Sequence, residues 1–452
     1  YADNDWIVLT SEVGNIDSLS PYLEKIALPP VLPVRQCLPG TALADPKTEL
    51  VACLNSLPEK NLAGLSIAIT CGSRGFDGYA TLLRNLVLFL RAKGARPFLV
   101  PAMGSHGGAT AAGQTELLGH LGITEEAIGA PIRSSMETVL IGKTGGGLPV
   151  RIDKLASQAD GIVLFNRIKP HTSFRGPYES GLLKMLAVGL GKQAGAEATH
   201  RRGYGQMAEN LEAAGTLALQ KLPVLFALAT LENGYGQLAE IHVLEPNQIL
   251  AQEPFLLDKA RSLMPRIWLD EIDVLVVGEI GKDISGTGMD TNIIGRYHTS
   301  AASGGPRVTR LGILSLSQGS EGNANGMGLA DFMTERLFRQ VDFTGTYLNT
   351  LTSTEPASAR MPMVLANDRQ VFQAAVKLCG QDRLDQVRLA IIRNTKSLQT
   401  IWLSPAAWAA ASRTGQAIAQ GPSRPLPFAA EGRLSLFDEP EGSHREDACP
   451  RT

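Results

Sequence analysis

The chain has 452 residues, 44% hydrophobic and 19% charged, which suits a soluble protein of two or three domains with a sizeable core. A formal net charge of −2 gives no basic excess for nucleic acid and no charged block for a membrane surface. No apolar stretch is long enough to span a bilayer, and no secretory signal is visible.

Residues 65–70 predict a strand that ends in Cys71-Gly72-Ser73-Arg74-Gly75. Residues 79–93 carry Leu82, Leu83, Leu86 and Leu90 at helical spacing, with Gly94 as the stop. A strand over 97–100 leads into Met103-Gly104-Ser105-His106-Gly107-Gly108 and then a helix over 110–121. Residues 138–141 and 150–152 flank Thr144-Gly145-Gly146-Gly147 as a hairpin. The strand over 161–165 is apolar throughout and runs into Asn166-Arg167-Ile168-Lys169-Pro170-His171. Helices over 179–190 and 209–221, a strand over 224–229 and a long helix over 247–265 follow. Beyond them come strands over 272–277, 310–316, 387–392 and 400–403, with helices over 329–339 and 371–378.

This alternation predicts an α/β protein of two α/β domains with largely parallel or mixed sheets and an active site in the inter-domain crevice. The expected division is 1–250 for an N-terminal domain with the cofactor-binding and catalytic loops, and 251–420 for a C-terminal domain that adds a substrate-binding loop. Residues 421–452 are polar and Pro-rich and read as a disordered tail. The cysteines Cys37, Cys53, Cys71, Cys379 and Cys449 are widely spaced without a CxxC. That pattern suits a reducing, cytoplasmic setting and offers no structural zinc site.

Four strands end in polar, Gly-rich loops that hold Ser73 and Arg74, Ser105 and His106, Lys169 and His171, and Lys282 and Asp283. Ligands of open α/β sheets bind at such strand ends. Of seven histidines, His106 and His171 lie just past buried-looking strands. His120 reads as a helix-end dipole partner, His242 sits in a strand-like run, His444 lies in the tail, and His298 is open either way. Lys184 interrupts an apolar helix beside Ser180, Gly181, Ala187, Val188 and Gly191. It is either a buried functional lysine or one that snorkels to water. Gly142-Lys143-Thr144 imitates a phosphate loop but has Glu137 where the first glycine belongs, and residues 104–108 are not a GxGxxG.

The order and spacing of these segments, with Glu179-Ser180-Gly181-Leu182-Leu183-Lys184-Met185, His200 and the run from Gly281-Lys282-Asp283 to Asp290, resemble the lactate racemase family that uses a nickel-pincer nucleotide. The resemblance covers about residues 66–290, with weaker support to 403. It implies a racemase or epimerase of a small-molecule 2-hydroxy acid, with reversible hydride transfer to that cofactor. By the same resemblance, His106 and His171 are the catalytic acid/base pair. Lys184 anchors the cofactor, His200 binds Ni, and Arg74 and Lys282 hold the substrate carboxylate. Ser73, Arg74, Gly104 and Ser105 line the cofactor. Lactate, malate and a sugar acid are equal candidates, and a homo-oligomer is left open. Two other readings stand beside this one: a metal-dependent hydrolase with His106, His171 and His200 on one metal, and a non-catalytic nucleotide-cofactor-binding protein.

Overall fold

A computed structural model describes residues 19–438. His444 and Cys449 lie outside them. In chain order the strands are β1 (Leu32–Gln36), β2 (Ser66–Cys71), β3 (Arg96–Pro101), β4 (Thr138–Lys143), β5 (Pro149–Asp153), β6 (Gly161–Arg167), β7 (Val224–Glu232) and β8 (Leu238–Leu244). They continue with β9 (Glu271–Ile280), β10 (Arg307–Leu316), β11 (Phe332–Thr334), β12 (Met363–Leu365), β13 (Leu389–Ile392), β14 (Thr400–Leu403) and β15 (Ala417–Ala419).

The first sheet has the order β3-β2-β6-β7-β8, parallel except for β8. Its strands are buried on both faces, so alternate residues feed two cores. Val163 and Phe165 of β6 pack with Leu82, Leu83, Leu86 and Leu90 of the helix Tyr79–Ala92. Ile162 and Leu164 pack with Leu211 of the helix Met207–Lys221 and Leu257 of the helix Pro246–Leu263. Each such aliphatic side chain contributes roughly 1.5–3 kcal/mol by leaving water, against the entropy of ordering it. Strands β4 and β5 form a separate antiparallel pair.

The second sheet has the order β12-β11-β10-β9-β13-β14-β1-β15. Strands β12 to β13 run parallel, and β14, β1 and β15 complete it antiparallel. The mixed α/β class is therefore as expected. Strand β1, from early in the chain, pairs within the second sheet. Residues 421–438 are not a free tail: Leu434 and Leu436 are buried, and Phe437 packs edge-on against Trp402 at 5.3 Å. The polar, Pro-rich composition masks these spaced apolar anchors. The helix expected over 329–339 is instead β11 followed by the helix Glu335–Gln340. The helix expected over 179–190 is one α-turn, Leu182–Lys184, running into a π-turn, Met185–Gly189.

Both sheets contain a point where the chain reverses its direction of winding. After β2 it moves outward to β3, then returns to the other side of β2 as β6. After β9 it moves outward through β10 to β12, then returns beside β9 as β13. Loops diverge at such a point and leave room for a ligand at the carboxyl ends. Among the described residues, no helix is long and apolar enough to cross a membrane. Cys53, Cys71 and Cys379 are free thiols, whereas Cys37 is disulfide-bonded, which the cysteine spacing did not anticipate.

Candidate active site

Strand β3 ends at Pro101, and the chain turns toward His106. Gly104 is left-handed (φ +61°) and its N–H donates to Gly189 O at 3.2 Å. Gly107 (φ +64°) lies so close to Gly113 that a Cβ would overlap its backbone. A buried polar network supports this loop from beneath. Lys192 pairs with Asp153 at 3.2 Å and donates to Pro101 O and to Gln114 Oε1. Gln114 Nε2 in turn donates to Gly104 O at 2.9 Å and His106 O at 3.2 Å. Lys192 adopts a left-handed backbone (φ +54°), a strain these partners hold in place.

His106 Nδ1 lies 2.5 Å from Ser73 Oγ, on the loop after β2. With Nδ1 donating to that hydroxyl, Nε2 carries a free lone pair. The imidazole is open to solvent, yet surrounding protein and the charges of Arg74, Lys282 and Lys184 push its pKa down to about 3. It is a neutral ring.

His171 follows β6 and is clamped through its own peptide. Its N–H donates to Glu179 Oε2 at 2.6 Å, and its C=O accepts from Arg175 Nη1 at 2.6 Å. Glu179 is fully buried and also pairs with Arg261 at 2.6 Å. His171 Nδ1 accepts from the Ser173 N–H at 3.0 Å, which places the proton of the neutral ring on Nε2. Burial, then Lys184 and His200, hold its pKa well below the usual histidine range. His171 therefore presents an N–H at Nε2, and His106 presents a lone pair there in the tautomer whose Nδ1 donates to Ser73.

Lys184 ends the α-turn Leu182–Lys184. Glu253 Oε2 accepts from Leu183 N at 3.1 Å, and Asn166 Nδ2 donates to Gly181 O at 2.8 Å. A Cβ on Gly181 would overlap the Glu253 carboxyl group. The π-turn that follows is a rare geometry found often at functional sites. Among the described residues, Lys184 has no hydrogen-bond or ion-pair partner. Burial and then Arg74 push its pKa down to about 8. Its charge also lowers the pKa of His106, His171 and His200, so it sits among all three. His200 closes the helix Lys192–His200, and its buried Nδ1 has no hydrogen-bond partner among the described residues. Burial and Lys184 push its pKa down to about 4.

The loops of the second sheet reach the same place. Arg74 Nη1 donates to Lys282 O, Lys169 pairs with Asp290 at 3.3 Å, and Lys396 Nζ donates to Asp283 O at 2.6 Å. Lys282 Nζ is held by Gly286 O at 2.6 Å and by Asn349 Oδ1. Burial and Arg74 push its pKa down to about 7. Ser105, half-buried, lies beside His106. The structure thus gathers Ser73, Arg74, Gly104, Ser105, His106, His171, Lys184, His200 and Lys282 around the carboxyl ends of the two sheets.

Several residues here were not singled out from the sequence. Lys192, Gln114, Glu179 and Glu253 support the site through partners distant along the chain, and no local pattern signals them. Lys396 follows β13 as Lys282 follows β9, so the strand-end rule applied there would have found it. His298 Nε2 lies 3.1 Å from Ser173 Oγ, and Tyr204 lies between the rings of His171, His200 and His298 at 6.2, 5.9 and 6.0 Å.

Residues 63–211 match the model of the lactate racemase N-terminal domain. No curated protein matches the chain. Among solved structures, the lactate racemase apoprotein from Thermoanaerobacterium thermosaccharolyticum is similar at 14% identity and a TM-score of 0.44, over 81% of this chain and 89% of that one. That likeness is too distant to argue from. The family match covers β2 to β6 and the loops that carry His106, His171, Lys184 and His200, so residues 63–211 are similar to a lactate racemase N-terminal domain.

Proposed function

We propose that this protein is an isomerase that inverts C2 of a 2-hydroxy acid, as a racemase or an epimerase. The observation that carries the reading is the placement of Lys184, an amine without a hydrogen-bond or ion-pair partner among the described residues, where its charge acts on three histidines, with Arg74 and Lys282 alongside.

Inversion requires the Cα–H bond to break and re-form on the other face. When bound, a nickel-pincer nucleotide supplies the hydride acceptor for this step. The residues present fit such a group. His200 offers a buried nitrogen without a hydrogen-bond partner among the described residues, one imidazole for a metal held otherwise by the cofactor. Lys184 offers an amine that is partly neutral near pH 8, suited to a covalent or ionic anchor.

Arg74 and Lys282 hold the substrate carboxylate, Arg74 with a geometry that allows two parallel bonds. His106 Nε2 takes the hydroxyl proton. The carboxylate offsets the cations that weaken His106 as a base, so the base strengthens when substrate is in place. For the opposite enantiomer His171, on a different strand end, takes the hydroxyl proton at Nδ1, the nitrogen that the Ser173 N–H occupies in the ligand-free protein.

The hydrolase reading needs histidines that share a metal. Among the described residues, no group of three or more His, Cys, Asp or Glu could hold one. The carrier reading accounts for Lys184 and His200 but gives no task to His106 set against Ser73. Metal analysis of protein loaded with the cofactor tests the proposal. Nickel with a visible chromophore, lost in His200→Ala and kept in His106→Ala and His171→Ala, is expected; zinc without a chromophore contradicts it. The three free thiols among the described residues favour the cytoplasm and the bonded Cys37 argues against it. Thiol titration after alkylation at lysis decides between them.

A further inference from the structure

Arg74 and Lys282 account for one carboxylate, which leaves three cations of the same region unused. Arg167 closes β6, Lys169 follows two residues later, and Lys396 lies on the loop after β13. They therefore come from the two strands that flank the reversal points of the two sheets. Lys396 Nζ donates to Asp283 O at 2.6 Å, on the same loop as Lys282. The charges of Arg167, Arg74 and Lys169 all reach Lys396. Arg167 has Glu232 as a partner and Lys169 has Asp290. Among the described residues, Lys396 has no carboxylate partner, and neither have Arg74 and Lys282. Like charges gathered in one cleft repel unless an anion enters. The Asp283 carboxylate acts on both Lys396 and Arg74 without forming an ion pair with either, so with one carboxylate between Arg74 and Lys282 the cations around Lys396 still outnumber the anions.

We infer that Lys396, with Lys169 and Arg167, forms a second anion subsite that takes a carboxylate or phosphate group in addition to the carboxylate held by Arg74 and Lys282. Only the identity of that first carboxylate rests on the hydroxy-acid reading. The second anion has two sources, the far end of a dianionic substrate or the phosphate of a nucleotide cofactor.

Calorimetric titration of the full chain tests this, with and without bound cofactor. The probes are inorganic phosphate, malate, and 2-hydroxybutanoate, which has a methyl where malate has its second carboxylate. The variants are Lys396→Met and, as a second probe of the same subsite, Lys169→Met. Lys396 is exposed, so its replacement leaves the cores intact. Without cofactor, wild type is expected to prefer malate by about tenfold, one charge-assisted bond's worth, and Lys396→Met to lose that preference. If the preference survives cofactor loading, the second anion is the substrate's. If loading abolishes it and displaces phosphate, the subsite holds the cofactor's phosphate. If neither hydroxy acid binds while phosphate binds in a Lys396-dependent way, the subsite stands and the hydroxy-acid reading fails. Malate preference and phosphate affinity that are both unchanged in Lys396→Met overturn the inference.

Discussion

Arg74, Lys282 and Lys184 all bear on the His106 ring, and together with the protein around it they keep it neutral down to about pH 3. Such a group is a weak base until an anion arrives. NMR titration of ligand-free protein should show His106 neutral at pH 4. Its pKa should rise in Arg74→Met, which removes one cation, and on saturation with a 2-hydroxy acid. An ordinary value near 6.5 in the ligand-free protein would contradict this. Replacing His106 or His171 by Ala should slow racemisation by about 10²–10⁴-fold in steady-state assays, the usual reach of a positioned proton-transfer group. These two residues were legible because each directly follows a strand. Lys184 was legible because a charge interrupts an apolar run. Glu179 was not, because its role is to hold the His171 peptide together with Arg175, a contact set by tertiary folding.

The short α-turn that carries Lys184 depends on Glu253 from the helix Pro246–Leu263. Gly181→Ala would force a methyl into the Glu253 carboxyl group, and overpacking of this kind costs about 1–3 kcal/mol. A fall in Tm with loss of activity is expected; an unchanged Tm would show that the helix gives way freely. Burial pushes the pKa of Glu253 from 4.5 up to about 8. The folded state thus keeps a proton that the unfolded chain releases above pH 4.5. The stability this confers is complete below pH 4.5 and is lost as pH rises to about 8. Glu253→Gln should flatten the dependence of Tm on pH across that window. Strongly patterned elements such as the helix Tyr79–Ala92 could be read in the sequence. The π-turn and the three-residue strands β11 and β12 could not, because they are too short to show a period.

Across the whole molecule, the segment that follows β6 and the segment between β9 and β10 are tied together near His171. Arg175 Nη2 donates to Tyr297 OH at 2.9 Å and Ser303 O at 3.0 Å while Nη1 holds His171 O. Arg175→Met should therefore raise KM and lower kcat together, whereas an effect on stability alone would show that the tie has no bearing on the site. The two largely parallel sheets were legible from buried apolar strands alternating with helices. The place of β1 in the second sheet and the packing of residues 421–438 were not, since both are set by pairing across most of the chain's length. The most direct measurement of the central claim uses one enantiomer of a 2-hydroxy acid, deuterated at Cα, incubated in ordinary water with cofactor-loaded protein. The account predicts loss of optical purity with the deuterium retained, slowed about 10²–10⁴-fold in His106→Ala. Racemisation with the label washed out to solvent, or optical purity unchanged across a panel of 2-hydroxy acids, would contradict it.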